Sequence, residues 1–278
     1  MRKTIAFIGV GNMANAIING ITKRENNPFP FSNLILFDKY PPQLKSFENT
    51  GAKITESITD AVKNADCVVL SVKPQNFPEV LTEISSLEGI SEKLFITIAA
   101  GIEISTIKGY VGSAPVIRVL PNLPMVVGFG VSAICKDDSV HECDFEFVAD
   151  IFAASGKVIK IDESEMNRII SVTSSSPAYI FMLIDSMLGG AKSQGLVESF
   201  GGNISEKEML LTICDTIIGA CELMKASDCS AKELISRVAS KGGTTERAIN
   251  ELEAYKFKDG IISAMQKCTD RADELGKS

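Results

Sequence analysis

Histidine occurs once in 278 residues, as His141, and the seven cysteines include no C-x-x-C pair. These shortages exclude the clustered ligand spacing of zinc sites. His141 stands beside Glu142 in a polar stretch, as a surface histidine does, so a histidine-based acid–base mechanism has little support. The cysteines (Cys67, Cys135, Cys143, Cys214, Cys221, Cys229 and Cys268) are odd in number, and several fall in apolar periodic segments. That is how small buried hydrophobes are used in a reducing compartment. Positive charge is also in deficit. The formal net charge is −7, against the basic face that a nucleic-acid partner requires. Long apolar runs are missing, since Arg118, Pro121 and Pro124 break the most apolar region, 116–134, and no membrane span is expected. The opening Met1-Arg2-Lys3 is followed by too short an apolar run for a leader. No internal repeat or low-complexity tract is evident. These deficits together point to a cytoplasmic protein.

What is present begins at the N-terminus. The apolar run Ile5-Ala6-Phe7-Ile8 feeds into Gly9-Val10-Gly11-Asn12-Met13-Ala14, a G-x-G-x-x-A pattern, and a helical pattern follows through Ile17, Ile18 and Ile21. This is a strand–turn–helix of the kind that holds a dinucleotide pyrophosphate. Gly9 permits the tight turn, Gly11 lets the backbone approach the phosphates, and Ala14 allows close helix packing. The free N–H groups of the helix start then face the anion. Further apolar strands are expected at 34–37, 67–70, 94–98, 116–120, 131–134 and 158–159, alternating with helical segments. Their lack of alternation fits parallel strands buried on both faces. The pattern predicts an α/β fold with a doubly wound, mostly parallel sheet.

After about Ile161 strand signals stop. Met166–Leu188 is apolar nearly all round, interrupted by Ser171–Pro177, and such a helix has to be buried in a core or between subunits. Pro177 should kink it or begin a new helix. Helical spacing recurs from Leu210 to Met224, Leu234 to Val238, Ala248 to Leu252 and Ile262 to Leu275. We therefore expect a dinucleotide-binding domain at 1–162 and an all-α domain at 163–278.

Ligands of open parallel sheets bind beyond the carboxyl ends of the strands. The exits there carry Asp38-Lys39, Ser71-Val72-Lys73-Pro74, Ala99-Ala100-Gly101 and Pro121-Asn122-Leu123-Pro124. Asp38 suits a ribose 2′-hydroxyl and Lys39 a 2′-phosphate, so the two cues conflict. Lys73 lies where ribose or phosphates would pass, and the small residues 99–101 admit a flat ring. The two prolines hold Asn122 rigidly, for function or only for the turn. In the helical part, Ser240-Lys241-Gly242-Gly243-Thr244-Thr245 precedes a helix. Bare backbone, hydroxyls and free N–H groups there suit a small carboxylate, although Ser/Thr/Gly before a helix is often a simple cap.

Together these residues resemble the pyrroline-5-carboxylate reductase family. The stretches that carry the resemblance are Phe7–Met13, Val72-Lys73-Pro74, Ala99-Ala100-Gly101-Ile102, Arg118–Pro124, Ser175-Ser176-Pro177-Ala178-Tyr179, Gly242-Gly243-Thr244-Thr245 and Ala264–Cys268, in order over essentially the whole chain. The resemblance implies a Rossmann domain and a helical dimerisation domain, in a homodimer that often assembles further, commonly to a decamer. It implies reduction of 1-pyrroline-5-carboxylate to L-proline by NADPH or NADH, the last step of proline biosynthesis, without a metal. On this reading Ile8, Gly9, Gly11, Asn12, Met13, Asp38, Lys39, Ser71, Val72, Lys73, Pro74, Ala99, Ala100, Gly101 and Asn122 serve the cofactor. Glu163, Ser240, Gly242, Gly243, Thr244 and Thr245 serve the substrate, with Thr245 catalytic.

The chain departs from the family's pattern in places. Ala14 stands where glycine is common, Thr173-Ser174-Ser175 replaces Ser-Gly-Ser, and Lys241 replaces a proline. Two alternatives stay open on the sequence. One is another Rossmann imine or hydroxyacid reductase, with Lys192 or Lys241 as catalytic lysine. The other is a silent paralogue that binds nucleotide without turnover.

Overall fold

In the computed structural model the described residues are 3–23 and 29–276. Met1 and Arg2, weighed above as the start of a leader, lie outside them. Contacts divide the chain into one unit of residues 1–175 and 267–278 and a second of residues 176–266.

The first unit is built on eight strands: β1 (Ile5–Ile8), β2 (Leu34–Phe37), β3 (Lys53–Ile54), β4 (Cys67–Leu70), β5 (Leu94–Thr97), β6 (Val116–Leu120), β7 (Gly130–Lys136) and β8 (Gly156–Lys160). They lie in the order β3-β2-β1-β4-β5-β6-β7-β8, and every pair is parallel except β6–β7. The strand order reverses direction between β1 and β4, where Ile8 is in register with Leu70. That junction is where a doubly wound sheet opens a ligand crevice.

Alternate strand residues feed two cores. Ile5, Phe7, Cys67, Val69, Leu94 and Ile96 pack on one face, with Ile17 and Ile18 of α1 (Asn12–Thr22) and Val148 and Phe152 of α5 (Glu142–Ala153). Ala6, Ile8, Val68, Leu70 and Phe95 pack on the other. Their partners there come from α2 (Ile58–Lys63), α3 (Phe77–Ser85), α4 (Ile104–Val111) and α6 (Glu163–Thr173). Burial on both faces accounts for the unbroken apolar strands, each large side chain contributing about 1.5–3 kcal/mol.

The 162/163 boundary expected from composition marks where strands end, and Asp162 does cap α6 there in a capping box with Glu165. By contact, however, α6 stays with the sheet, because Met166 and Ile170 are buried in its core. So does the end of α11 (Phe257–Gly276), through Ala272. The apolar stretch 166–188 breaks at Ser174-Ser175, and α7 (Ser176–Ser193) begins there with Pro177 in its first turn. Pro177 thus starts a helix, and a proline at that position forfeits no helical hydrogen bond.

The second unit holds α7, α8 (Glu206–Lys225), α9 (Ala231–Val238), α10 (Thr244–Ala254) and the first part of α11. Its core is small: Leu188, Ala191, Val197, Met209 and Ile213.

Candidate functional site

The glycine turn leaves β1 and is fastened on both sides. Gly9 adopts φ +91, and its N–H donates to the Phe37 carbonyl at 2.8 Å. A Cβ at Gly9 would stand 3.0 Å from the Ser71 backbone, so position and conformation both require glycine. The Ser71 hydroxyl donates to the Gly9 carbonyl at 2.6 Å. Asp38 accepts from the Val10 N–H at 2.7 Å with one carboxylate oxygen and from the Tyr40 N–H at 2.8 Å with the other. Helix α1 then starts at Gly11 with no described side chain capping it and no acid in its first turn. Its first N–H groups therefore stay available to an anion.

Beside this turn lies a cleft of about 550 Å³ bordered by Gly9, Gly11, Asp38, Lys39, Ser71, Val72 and Lys73. The sequence reading named all seven. It missed the opposite wall, which α3 supplies through Glu79, Val80 and Glu83, with Asn76 before it. The clue was the proline exit at Pro74, which turns the chain into a short 3-10 turn leading to α3. A Cβ at Gly11 would meet nothing within 4 Å, so the turn presents bare backbone to open space. An extended diphosphate needs that space and those N–H groups, and the cradle fits a dinucleotide.

Other candidates fall elsewhere. Asn12 borders a larger cavity of about 960 Å³, together with Asn15, Asn19, Met125 and Ser155. That cavity is not bordered by Gly9, Gly11 or Asp38, so its size does not make it the nucleotide site. Ile8 is fully buried in β1, and Met13 packs against the core from the first turn of α1. Ala99 is buried and Ala100 exposed. Gly101 has φ +78, and a Cβ there would lie 2.9 Å from Leu275 Cβ, so the end of α11 requires that glycine.

Two expected ligand groups also make contacts within the fold. Asn122 donates from Nδ2 to the Thr173 carbonyl at 2.9 Å and accepts at Oδ1 from the Val131 N–H at 2.8 Å. It ties the double-proline turn to α6 and β7. The Ser174 hydroxyl also donates to the Pro121 carbonyl, at 3.4 Å. The departure at 173–175 thus anchors this turn. Glu163 accepts at Oε1 from the Ile104 N–H at 2.7 Å and lies 3.5 Å from Arg118 Nη1. Arg118, buried in β6, donates from Nη2 to Asn167 at 2.7 Å, and Asn167 donates to Asp273 at 2.9 Å. Glu163 is therefore the counter-charge of a buried arginine, whose removal is costly. A sequence without contacts cannot show that pairing.

In the second unit, Gly243 is the N-cap of α10, with no described side-chain cap. Glu246, in the first turn of α10, accepts at Oε2 from the Gly242 N–H at 2.7 Å, which places its negative charge at this turn. Gly243 N–H donates to the Ser240 carbonyl at 2.9 Å, which closes the turn. Thr245 is half-buried and Thr244 and Ser240 are exposed. Among the described residues no group of histidine, cysteine or acid side chains could hold a metal. Burial pushes the Cys67 and Cys135 thiols up to about 12, so neither is a nucleophile near neutral pH.

Comparison with known proteins covers both parts of the chain. A family model described as pyrroline-5-carboxylate reductase dimerisation matches residues 163–275. One described as NADP oxidoreductase, coenzyme F420-dependent, matches residues 4–101. A pyrroline-5-carboxylate reductase of Haemophilus influenzae is 32% identical over 98% of this chain and 97% of its own. The structure of the Plasmodium falciparum pyrroline carboxylate reductase with NADP bound superposes with a TM-score of 0.87 at 26% identity, covering 99% of this chain and 98% of that one. That of a Coxiella burnetii pyrroline-5-carboxylate reductase gives 0.84 at 29% identity, covering 99% of each.

Proposed function

This chain belongs to the pyrroline-5-carboxylate reductase family, and we infer from that membership that it is the reductase of 1-pyrroline-5-carboxylate. It is an oxidoreductase of proline biosynthesis that uses NADP(H) or NAD(H) and forms L-proline. The observation that carries the conclusion is the extent of the match, 98% of the chain. Both the glycine turn and the Gly-Gly-Thr-Thr segment lie inside it. The chain also carries the family's dimerisation segment.

The dinucleotide, when bound, supplies the hydride, and the chain's tasks are orientation, electrostatics and exclusion of water. The free N–H groups at Gly11 and the first turn of α1 hold its diphosphate. Lys73 adds positive charge at the same cleft. The substrate accepts hydride best as an iminium, so no strong protein acid is required. Its carboxylate sits on the first-turn backbone N–H groups of α10 from Thr244 on, since the Gly242 and Gly243 N–H groups already donate within the turn. The Thr245 hydroxyl hydrogen-bonds the ring nitrogen and orients it. What supports this placement is the start of α10, where no described side chain caps the helix. A hydrogen bond of this kind contributes on the order of 1–3 kcal/mol.

The helices of the second unit suit a homodimer, because they leave wide apolar faces uncovered. Assembly to a decamer extends the same reading. Residence in the cytoplasm agrees with seven free cysteines. The deciding experiment follows oxidation of NADPH and of NADH by nicotinamide absorbance with 1-pyrroline-5-carboxylate. Turnover with either is expected. Cofactor binding without turnover would overturn the conclusion and favour a silent paralogue.

A further inference from the structure

We propose that Glu79, on α3, sets the choice between the two dinucleotides by neutralising Lys39, and that it does so in favour of NAD(H). The proposal rests on the reading that the cleft beside Gly9 and Gly11 holds the cofactor. The two dinucleotides differ only at the ribose 2′ position, hydroxyl against phosphate. A phosphate there adds about two negative charges near neutral pH.

In this fold the ribose meets the acid that ends the second strand. Here that acid is Asp38, and its two oxygens are fixed by the N–H groups of Val10 and Tyr40. Each carboxylate oxygen has a further lone pair, so Asp38 can still accept from a hydroxyl. A phosphate finds only repulsion from it. A cation beside Asp38 would reverse the balance, and Lys39 is next to it in the chain. The Lys39 ammonium, however, lies 3.2 Å from Glu79 Oε1. Glu83 borders the same cleft one turn further along α3, and its Oε1 accepts from the Thr59 hydroxyl at 3.4 Å. The cleft is thus bordered by three carboxylates (Asp38, Glu79 and Glu83) and two ammonium groups (Lys39 and Lys73), with one ammonium already paired. Such a wall suits a 2′-hydroxyl and resists a dianion.

The pair is solvent-exposed, so it adds little to fold stability. Its effect belongs to ligand choice. Binding of NAD+ and of NADP+ to the full-length protein, each measured by calorimetry, tests this without turnover. The wild type is expected to bind NAD+ more tightly. Glu79→Gln should shift the NADP+ to NAD+ affinity ratio toward NADP+ by about two- to fivefold. Adding Lys39→Ala to that variant should cancel the gain, since the freed ammonium causes it. Tighter NADP+ binding by the wild type, or a ratio unmoved by Glu79→Gln, overturns the proposal and leaves the reductase reading intact. Failure to bind either dinucleotide overturns both.

Discussion

The two units solve opposite problems with the same residue types. In the first, the sheet is covered on both faces, and Phe7, Phe95 and Phe152 are each at most 2% exposed. In the second, Phe181, Met182, Phe200, Ile218 and Val238 are each 56–66% exposed. Helix α7 is apolar over most of its length, yet only Leu188 and Ala191 are buried. A free chain seldom exposes so much apolar surface without a partner to cover it. The contrast teaches that one unit's sequence is written for its own core, while the other's is written for a second surface. Burial within a single chain is therefore a poor guide to which apolar residues matter.

The largest effects should separate the two units most sharply. Phe95→Ala opens a cavity where the side chain is 0% exposed, and should lower unfolding stability by about 3–5 kcal/mol in a urea titration. Phe181→Ala, at 56% exposed, should cost under about 1 kcal/mol when the protein is dilute enough to be monomeric. An equal loss in both would mean that the core of the second unit extends well beyond its five buried residues. Next comes assembly. Ile218→Lys puts a charge on an exposed apolar face of α8. Light scattering should then report a monomer, with the helical signal in circular dichroism retained. An intact oligomer would remove this face from the interface.

Most of the first unit was legible in advance, because parallel strands buried on both faces leave unbroken apolar runs and helices between them leave periodic ones. Seven of the eight strands coincide with runs read from residue type, from Ile5–Ile8 to Val131–Ile134 within β7 and Val158–Ile159 within β8. The two-residue β3, both of whose side chains are exposed, gave no apolar signal. The antiparallel turn of β7 against β6 was equally hidden, since direction depends on the Pro121–Gly130 path and not on hydropathy. That seven of the named residues border one cleft beside the glycine turn was readable because glycine and strand-end residues are constrained locally. The fold contacts of Asn122 and Glu163 were not, because their partners, Thr173, Val131, Arg118 and Ile104, lie 9 to 59 residues away in the chain. A polar side chain at a turn looks the same in sequence whether it awaits a ligand or is spent on the fold.

Thr245→Ala tests the second unit's chemistry with an intermediate effect. Losing one hydrogen bond to the ring nitrogen should lower kcat/KM by about ten- to a hundredfold, with the oligomer unchanged. Wild-type kinetics would remove Thr245 from the mechanism. If kcat/KM falls only because the oligomer dissociates, the residue belongs to assembly and the division of labour drawn above blurs.

The smallest effect contrasts a carboxylate of each unit under acid. Asp137 lies just beyond β7, and its carboxyl is held below the usual range. Burial alone would raise it, but hydrogen bonds from the Ser139 hydroxyl and N–H and from the Val116 N–H at 2.6 Å, with Lys108 nearby, outweigh that. A carboxyl depressed in the fold stabilises it above the unfolded-state pKa, and that stabilisation is lost as pH falls through the folded value. Asp137→Asn should therefore be less stable than wild type at pH 7, and the difference should shrink through the acid range below the ordinary aspartate pKa of about 3.9. Glu233 of α9 is depressed too, by the Ser230 hydroxyl and N–H, but it is fully exposed. Glu233→Gln should consequently move the melting temperature less at every pH, because it frays one helix start and leaves the sheet untouched. Thermal melts of both variants from pH 7 to pH 3 check this. A difference for Asp137→Asn that stays constant across that range would mean the carboxylate's charge contributes nothing and only its shape is used.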